Sequence, residues 1–304
     1  MTSSALNKKF DRIKAQEEAG LLSSKRGSRA LRKLLNNRLA LFGIVVFSII
    51  LLASIFAPWI TQYDPGRIDL RSRLLEPSWD HFFGTDSLGR DVFSRVVFGG
   101  QVSILVGLGS ALLSAVIGVL SGCYAGYKGG WIDVIALRIS ELFMAFPQII
   151  LVLLLVSIVG QSLLNLIIIF VISGWGGMFR LARARMLSLR EEEYVQALRS
   201  FGISTAAICY KHILPNALGP VVVNVTLTTA MFILAEAGLS FLGLGVPLNI
   251  PTWGNILNAA QDLRVLQSYW WLWLPVGGTI SLFVLSVNFI GDGLRDATDP
   301  SQQG

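Results

Sequence analysis

Charge is what this sequence has least of. Only 14% of its 304 residues are Asp, Glu, Lys or Arg, against about 25% in an ordinary soluble domain. Histidine occurs twice, at His81 and His212, and cysteine twice, at Cys123 and Cys209. Two histidines so far apart give no support to a metal cluster or a Ser-His catalytic site. The cysteines fall in an apolar run and a basic loop, which suggests neither a disulfide nor a metal site. No Gly-x-x-x-x-Gly-Lys-Ser/Thr stretch occurs, so the chain cannot cradle ATP phosphates by a P-loop. Clear internal repeats and mid-run clusters of ionisable residues, the usual marks of a secondary transporter, are also missing.

What the chain has instead is apolar residues in blocks: 53% of it is hydrophobic, with a mean hydropathy of +0.62. No charged residue falls within 39–60, 96–127, 142–179 or 265–291. A bilayer-spanning helix takes about 20 apolar residues, so the composition excludes soluble enzymes and implies an all-α polytopic membrane protein. Six spans divide the chain most simply, at 39–60, 100–126, 139–159, 163–179, 215–236 and 270–290. The run 142–179 is too long for one helix, and Gly160-Gln161-Ser162 with Asn165 divides it. Pro147 is expected to kink the third span. An external loop with a short helix occupies 61–99. The segment 237–269, broken by Gly238, Gly243, Gly245, Pro247 and Pro251, reads as external or re-entrant.

The basic character sits in one tail. Residues 1–38 hold 10 Lys or Arg against 3 acidic residues. Nucleic-acid binding is one reading of such a tail, but beside a first span it reads as a topology determinant. The first apolar run starts late and is too long for a signal-peptide core, so it reads as an uncleaved span. With the N-terminus inside, the cytoplasmic segments 1–38, 127–138, 180–211 and 292–304 collect 19 Lys or Arg and the outer segments 6. That bias sets both termini in the cytoplasm, leaving 291–304 as a cytoplasmic tail. Gly107, Gly109, Gly118, Gly122 and Gly126 suit close helix packing within the bilayer.

The loop 180–214 is the most informative. Tyr194, Ala197, Leu198 and Phe201 recur at helical spacing, and Glu191, Glu192 and Glu193 fall in a first turn, where they favour the helix dipole. Gly202 permits a sharp turn, a second short helix follows at 206–210, and Pro215 is placed to open the next span. Two short amphipathic helices around a glycine are shaped to dock into a groove of another protein. A solvated loop with incidental helicity is the plainer alternative.

Residues in this loop resemble the EAA loop of ABC importer permeases. Gln196 takes the Glu position, Ala197 and Leu198 the two Ala positions, then comes Gly202, and His212-Ile213-Leu214-Pro215 closes the motif. The departures suit the peptide-importer branch. Three further blocks agree: Gly84-Thr85-Asp86-Ser87-Leu88-Gly89-Arg90-Asp91 through Arg95, Pro251-Thr252-Trp253-Gly254, and Asn288 through Asp296 followed by Asp299-Pro300. Over roughly residues 35–300 the chain is similar to the C-type permease subunit of dipeptide and oligopeptide ABC importers. The resemblance implies a type I importer permease fold in the bacterial inner membrane. It also implies a second, homologous permease, two ATPase subunits that bind ATP and Mg, an external solute-binding protein and a peptide substrate. This chain would itself hold no cofactor or metal and perform no catalysis. Glu193, Tyr194, Gln196, Ala197, Leu198, Phe201, Gly202, His212 and Pro215 would form the coupling element that meets an ATPase.

Polar groups inside the apolar runs are the candidates for a translocation path. Glu236 stands about 30 Å along a helix from Pro215, near the outer mouth, where it could meet a peptide ammonium group or serve as a wetted interface residue. Glu141, Asn165, Asn224 and Asn288 are path candidates or interhelical hydrogen-bonding groups. In the external block, Thr85 or Asp86 is expected to cap a helix, with Asp86–Arg90 and Asp91–Arg95 as ion pairs along it. Together with Trp253 these form a candidate external gate or structural element. Nickel, glutathione and oligosaccharide importers share the motifs. Outside the family, an ATP-independent channel and a membrane scaffold remain open.

Overall fold

The computed structural model describes residues 32–298, and the regular structure there is helical. Residues 1–31 of the basic tail and the Asp299-Pro300 ending lie outside the described residues. Five helices are long and apolar enough to cross a bilayer, and a sixth crossing results if two short helices meeting at a sharp bend count together. The expected all-α polytopic architecture is therefore the one adopted.

Helix α1 spans Arg38–Ile55, its first turn capped by the Asn37 side chain, which accepts the Leu39 and Ala40 N–H groups at 3.1 and 3.2 Å. Helix α2 runs through 37 residues, Val92–Lys128, with a widened π-turn at Leu105–Gly109. It starts eight residues before the expected position of 100. Arg95, expected on a separate external helix ahead of this span, is buried and faces Asp86 at 3.6 Å, so its charge does not end the apolar face. The third span is two helices, α3 at Gly130–Met144 and α4 at Gln148–Val159, which meet at 88°. The kink expected at Pro147 is thus a full break, and the segment 127–138, expected as a loop, is helical from Gly130.

Helix α5, Leu163–Leu189, overruns its expected end at 179 by ten residues. It carries Arg180, Arg183 and Arg185 in helical register, and Arg183 is neutralised by Asp133 of α3 through two bonds of 2.5 and 2.6 Å. What remains of the loop is a short helix α6, Glu193–Ser200, and a turn. The expected second short helix merges into the next span: Thr205–Ala207 leads through a π-turn at Ile208–Ile213 into α7, Leu214–Phe241. Pro215 lacks an N–H and would crowd the carbonyl four residues back, and the widened turn sits at that place. Helix α7 continues five residues past Glu236, through Gly238, to Phe241. After a short helix α8, Trp253–Leu257, the chain closes with α9, Leu274–Thr298, which extends beyond the expected end at 290.

Apolar side chains such as Val45, Ile49, Leu112, Val116, Ile117 and Ile158 are largely exposed, as lipid-facing residues should be, so burial here marks helix–helix contact. The most extensive contact is α2 on α5. Gly118, Gly122 and Gly126 form its seam: a methyl at Gly118 would stand 2.6 Å from the Met178 Cβ, and one at Gly122 would overlap the Phe179 carbonyl. Without a water-driven force in lipid, such backbone approach supplies the contact energy. Three apolar clusters follow. Val92, Ile233, Trp253 and Phe283 centre one at the Trp253 end. Val106, Val152, Phe170 and Phe232 fill the middle. Cys123, Met186, Val195 and Ile208 close the Gly202 end.

A Gly122→Val substitution tests the seam. It is expected to destabilise the folded chain by about 1–3 kcal/mol, the usual cost of overpacking, read as a lowered melting temperature in detergent. An unchanged melt would mean that α2 and α5 are not packed through this glycine.

Candidate functional site

Two assemblies stand at opposite ends of the helices. At the Gly202 end, α6 is amphipathic. Val195 is fully buried against a cluster that includes Tyr127, Met186 and Ile208, with Leu198 and Ile203 half-buried beside it. The opposite face holds Tyr194, Ala197 and Phe201, and Phe201 is 82% exposed. Glu193 and Gln196 are also exposed, and the Gln196 amide donates to the Glu191 carbonyl at 3.1 Å, which steadies the entry to the helix. Only Glu193 of the three glutamates lies in the first turn.

The exit is a Schellman turn. The Gly202 N–H donates to the Arg199 carbonyl at 3.0 Å, and the Ile203 N–H donates to the Leu198 carbonyl at 3.2 Å. Gly202 has a φ of +72°, and nothing lies within 4 Å of the position its Cβ would take. The requirement for glycine is therefore conformational rather than steric. Arg199 stands over the Tyr127 ring at 5.3 Å and ties α6 to the end of α2. The Tyr210 hydroxyl donates to the Leu120 carbonyl at 3.1 Å. Cys209 is fully buried in the same cluster, where it packs as an apolar group. His212 is half-buried and Pro215 exposed.

At the Trp253 end, the 84–95 block is a folded-back turn in front of α2. Gly84 and Gly89 have φ of +65° and +74°, and Thr85 bridges to Asp91. Asp86 accepts the Leu88 and Arg90 N–H groups at 2.8 and 3.0 Å and the Arg90 side chain at 2.7 Å, so the expected Asp86–Arg90 pair is present, on a turn instead of a helix. The expected Asp91–Arg95 pair is not: Arg95 turns to Asp86. Asp91 instead caps α2, accepting the Ser94 N–H at 2.7 Å, and holds His81 at 2.9 Å. That displaces Thr85 and Asp86 from the capping role expected of them. The Thr85 hydroxyl donates to the Ser72 carbonyl and accepts the Leu75 N–H, pinning the loop.

Trp253 is fully buried. Its indole N–H donates to the Val96 carbonyl at 3.0 Å and its backbone N–H to the Ser103 hydroxyl at 3.1 Å. Ser103 in turn donates to Glu236 at 3.0 Å, and Ser240 donates to the other carboxylate oxygen at 2.8 Å. The neighbouring Gly254 lies against α7, where a Cβ would stand 2.5 Å from that of Ser240 and 2.8 Å from the Ala237 Cα.

The five path candidates are not brought together. Glu236, expected near an open mouth, is 0% exposed. Asn165 donates to the Val159 and Gly160 carbonyls at 3.2 and 3.1 Å, closing the end of α4. Asn224 accepts the Thr228 hydroxyl at 3.4 Å within α7, Glu141 pairs with Arg138 at 2.8 Å on α3, and Asn288 is half-buried on α9. An open groove of about 380 Å³ runs between α7 and α9, lined by residues such as Leu234, Gly238, Gly277 and Ile280, and none of the five lines it. Sequence reasoning missed the partners of Glu236 and the Asp133–Arg183 pair. Only the spacing of Glu236 and Ser240, one helical turn apart, was visible beforehand.

Comparison with known proteins completes the picture. A family profile described as "Binding-protein-dependent transport system inner membrane component" matches residues 116–303, and one described as "N-terminal TM domain of oligopeptide transport permease C" matches residues 26–77. A Brucella suis protein designated a candidate peptide permease is 45% identical over 273 residues, 90% of each chain. The oligopeptide transport system permease protein OppC of Bacillus subtilis is 40% identical over 271 residues, 89% of this chain and 88% of that one. The dipeptide transport system permease protein DppC of the same organism is 40% identical over 89% of this chain and 84% of its own. Among solved structures, the MetNI methionine ABC transporter in inward-facing conformations has a chain that shares the fold, with a TM-score of 0.52 at 20% identity, covering 67% of this chain and 96% of that one. The first profile alone accounts for more than half of the residues, and this chain belongs to the family of binding-protein-dependent transport system inner membrane components.

Proposed function

We propose that this chain is the permease subunit of an ATP-driven, binding-protein-dependent importer that moves di- and oligopeptides across the bacterial inner membrane by alternating access. The observation that carries the reading is α6: a short helix held on one side by Val195 and presenting Tyr194, Ala197 and Phe201 on the other. The excess of Lys and Arg in the segments on its side of the membrane argues for a cytoplasmic position, where an ATPase subunit would receive it. An exposed aromatic on a short rigid helix is the usual anchor of a helix-in-groove contact. A push on α6 passes through Val195 and Ile203 into the cluster built by α2, α5 and the π-turn ahead of α7. Closure of the ATPases would in this way tilt several spans together.

The proposed assembly has a second, related permease, two ATPases holding ATP and Mg, and an external solute-binding protein. This chain contributes docking and a path, and no covalent chemistry. The names of the relatives favour peptides over the other solutes such importers carry. Mild-detergent purification of the tagged chain from its native membrane tests the assembly: two P-loop ATPases and a second polytopic permease are expected to copurify. Recovery of the chain alone, with detergent loss controlled for, would favour a channel or a scaffold.

Two substitutions separate the parts of α6. Phe201→Ala is expected to leave the isolated chain within about 0.5 kcal/mol of its original stability, as exposed positions usually do. It should weaken ATPase retention by about tenfold or more, measured by titrating ATPase onto the immobilised permease. Gly202→Val forces a β-branched residue into left-handed backbone at a cost of roughly 1–2 kcal/mol. Peptide uptake is expected to fall to background while membrane insertion is unchanged, and normal uptake would remove the case for a glycine-dependent turn.

A further inference from the structure

The mechanism above makes no use of Glu236, yet a carboxylate fully withdrawn from solvent inside a membrane helix is costly to keep. Among the described residues it forms no ion pair, and its partners are hydroxyls. Ser103 of α2 reaches it at 3.0 Å and Ser240 of α7 at 2.8 Å. Ser103 passes the connection onward to Trp253, and the neighbouring Thr252 carries it to Asn255. Ser103 accepts the Trp253 N–H at 3.1 Å, and Thr252 accepts the Asn255 N–H at 3.0 Å. Asn255 in turn donates to the carbonyls of Val246 at 3.1 Å and Ile250 at 3.0 Å, so the whole 246–257 segment hangs from this point.

A carboxylate offers a separate oxygen to each of the two hydroxyls, which an apolar group could not match. Directly beyond Ser103, α2 passes into the π-turn at Leu105–Gly109, a type of irregularity at which helices often hinge. The part of α2 before that turn, Val92–Ile104, is therefore the piece most able to move separately, and it is the piece that Ser103 ties to α7.

We propose that Glu236 is a positioning residue. It clasps the first part of α2, the end of α7 and the 246–257 segment into one body, so that movement of the far helix ends is delivered here without slip, and it touches no solute. This goes beyond the reading of the chain as a peptide permease but borrows it for one arm of the test.

The assembled transporter, purified and reconstituted in liposomes with its binding protein, is compared with Glu236→Leu, Glu236→Gln and Ser103→Ala versions. Gln keeps an acceptor oxygen and brings N–H groups that the rotatable hydroxyls can accept. It is expected to retain at least about half of the maximal uptake rate. Leu is expected to lower the maximal rate by about tenfold with the half-saturating peptide concentration unchanged, equally for free and N-acetylated dipeptides. Ser103→Ala should shift the rate in the same direction, and it serves if the Leu variant does not assemble. Hydrogen exchange of the 252–257 backbone in the purified complex, which needs no transport, should rise about tenfold in the Leu and Ala variants.

A raised half-saturation for free-amine peptides alone, at an unchanged maximal rate, would overturn the proposal in favour of solute contact. A Gln variant as slow as the Leu variant, or exchange unaltered in both the Leu and Ala variants, would also overturn it. Should the unmodified complex take up no peptide, the substrate reading fails, and the exchange measurement still decides whether the clasp exists.

Discussion

Lipid offers helices no hydrophobic gain for packing against one another, so contact in this chain depends on how closely backbones can approach. The seam of Gly118, Gly122 and Gly126 against α5 is where that approach is closest to its limit. Its position fixes the relation of α2 to α5, the most extensive helix contact in the chain, and the other elements are arranged around the pair. The end of α2 carries Tyr127, which receives α6 through Arg199. The end of α5 carries Met186, against which Val195 is buried. At the opposite end the same α2 presents Val96 and Ser103 to Trp253. One helix thus holds both the short exposed helix at one extreme and the buried indole at the other.

The two ends are built from different materials. Around α6 the contacts are apolar and a single glycine turn sets the geometry, so the helix is rigidly seated yet open on its outer side. Around Trp253 the contacts are hydrogen bonds through hydroxyls, and Asp86, Asp91 and Arg95 surround the start of α2 with satisfied charges. A polar network in a low-dielectric setting specifies one arrangement more strictly than apolar contact does, because an unmade bond there is expensive. The Gly202 end is accordingly suited to receive a partner and the Trp253 end to keep a fixed internal shape.

Local features of the sequence were legible where they depend on neighbours along the chain. The turn at Gly202, the amphipathic spacing of 194, 197, 198 and 201, the interruption at Pro147 and the Asp86–Arg90 pair all have partners within a few residues. Expectations failed where charge was taken to mark the end of a span. Arg95, Arg183 and Glu236 lie inside helices because Asp86, Asp133 and a group of hydroxyls meet them there, and of those partners only Ser240 and Asp86 are close in sequence. Hydropathy registers the charge of such a residue but not its neutralisation, so helix ends at 92, 189 and 241 were misplaced by five to ten residues. Boundaries set by local caps and breakers, such as Asn37 at the beginning of α1 and Gly160 with Ser162 between α4 and α5, needed no distant information.

The right-angled junction of α3 and α4 has a geometric consequence for its surroundings. Two axes that differ in direction by 88° cannot both follow the membrane normal. At least one must lean by about half that angle or more, beyond the roughly 0–40° seen for crossing helices. On α3 the apolar side chains of Trp131, Ile135, Ile139 and Leu142 are turned outward. The flank formed by α3 and α4 therefore presents an elbow instead of a straight rod to whatever surrounds it.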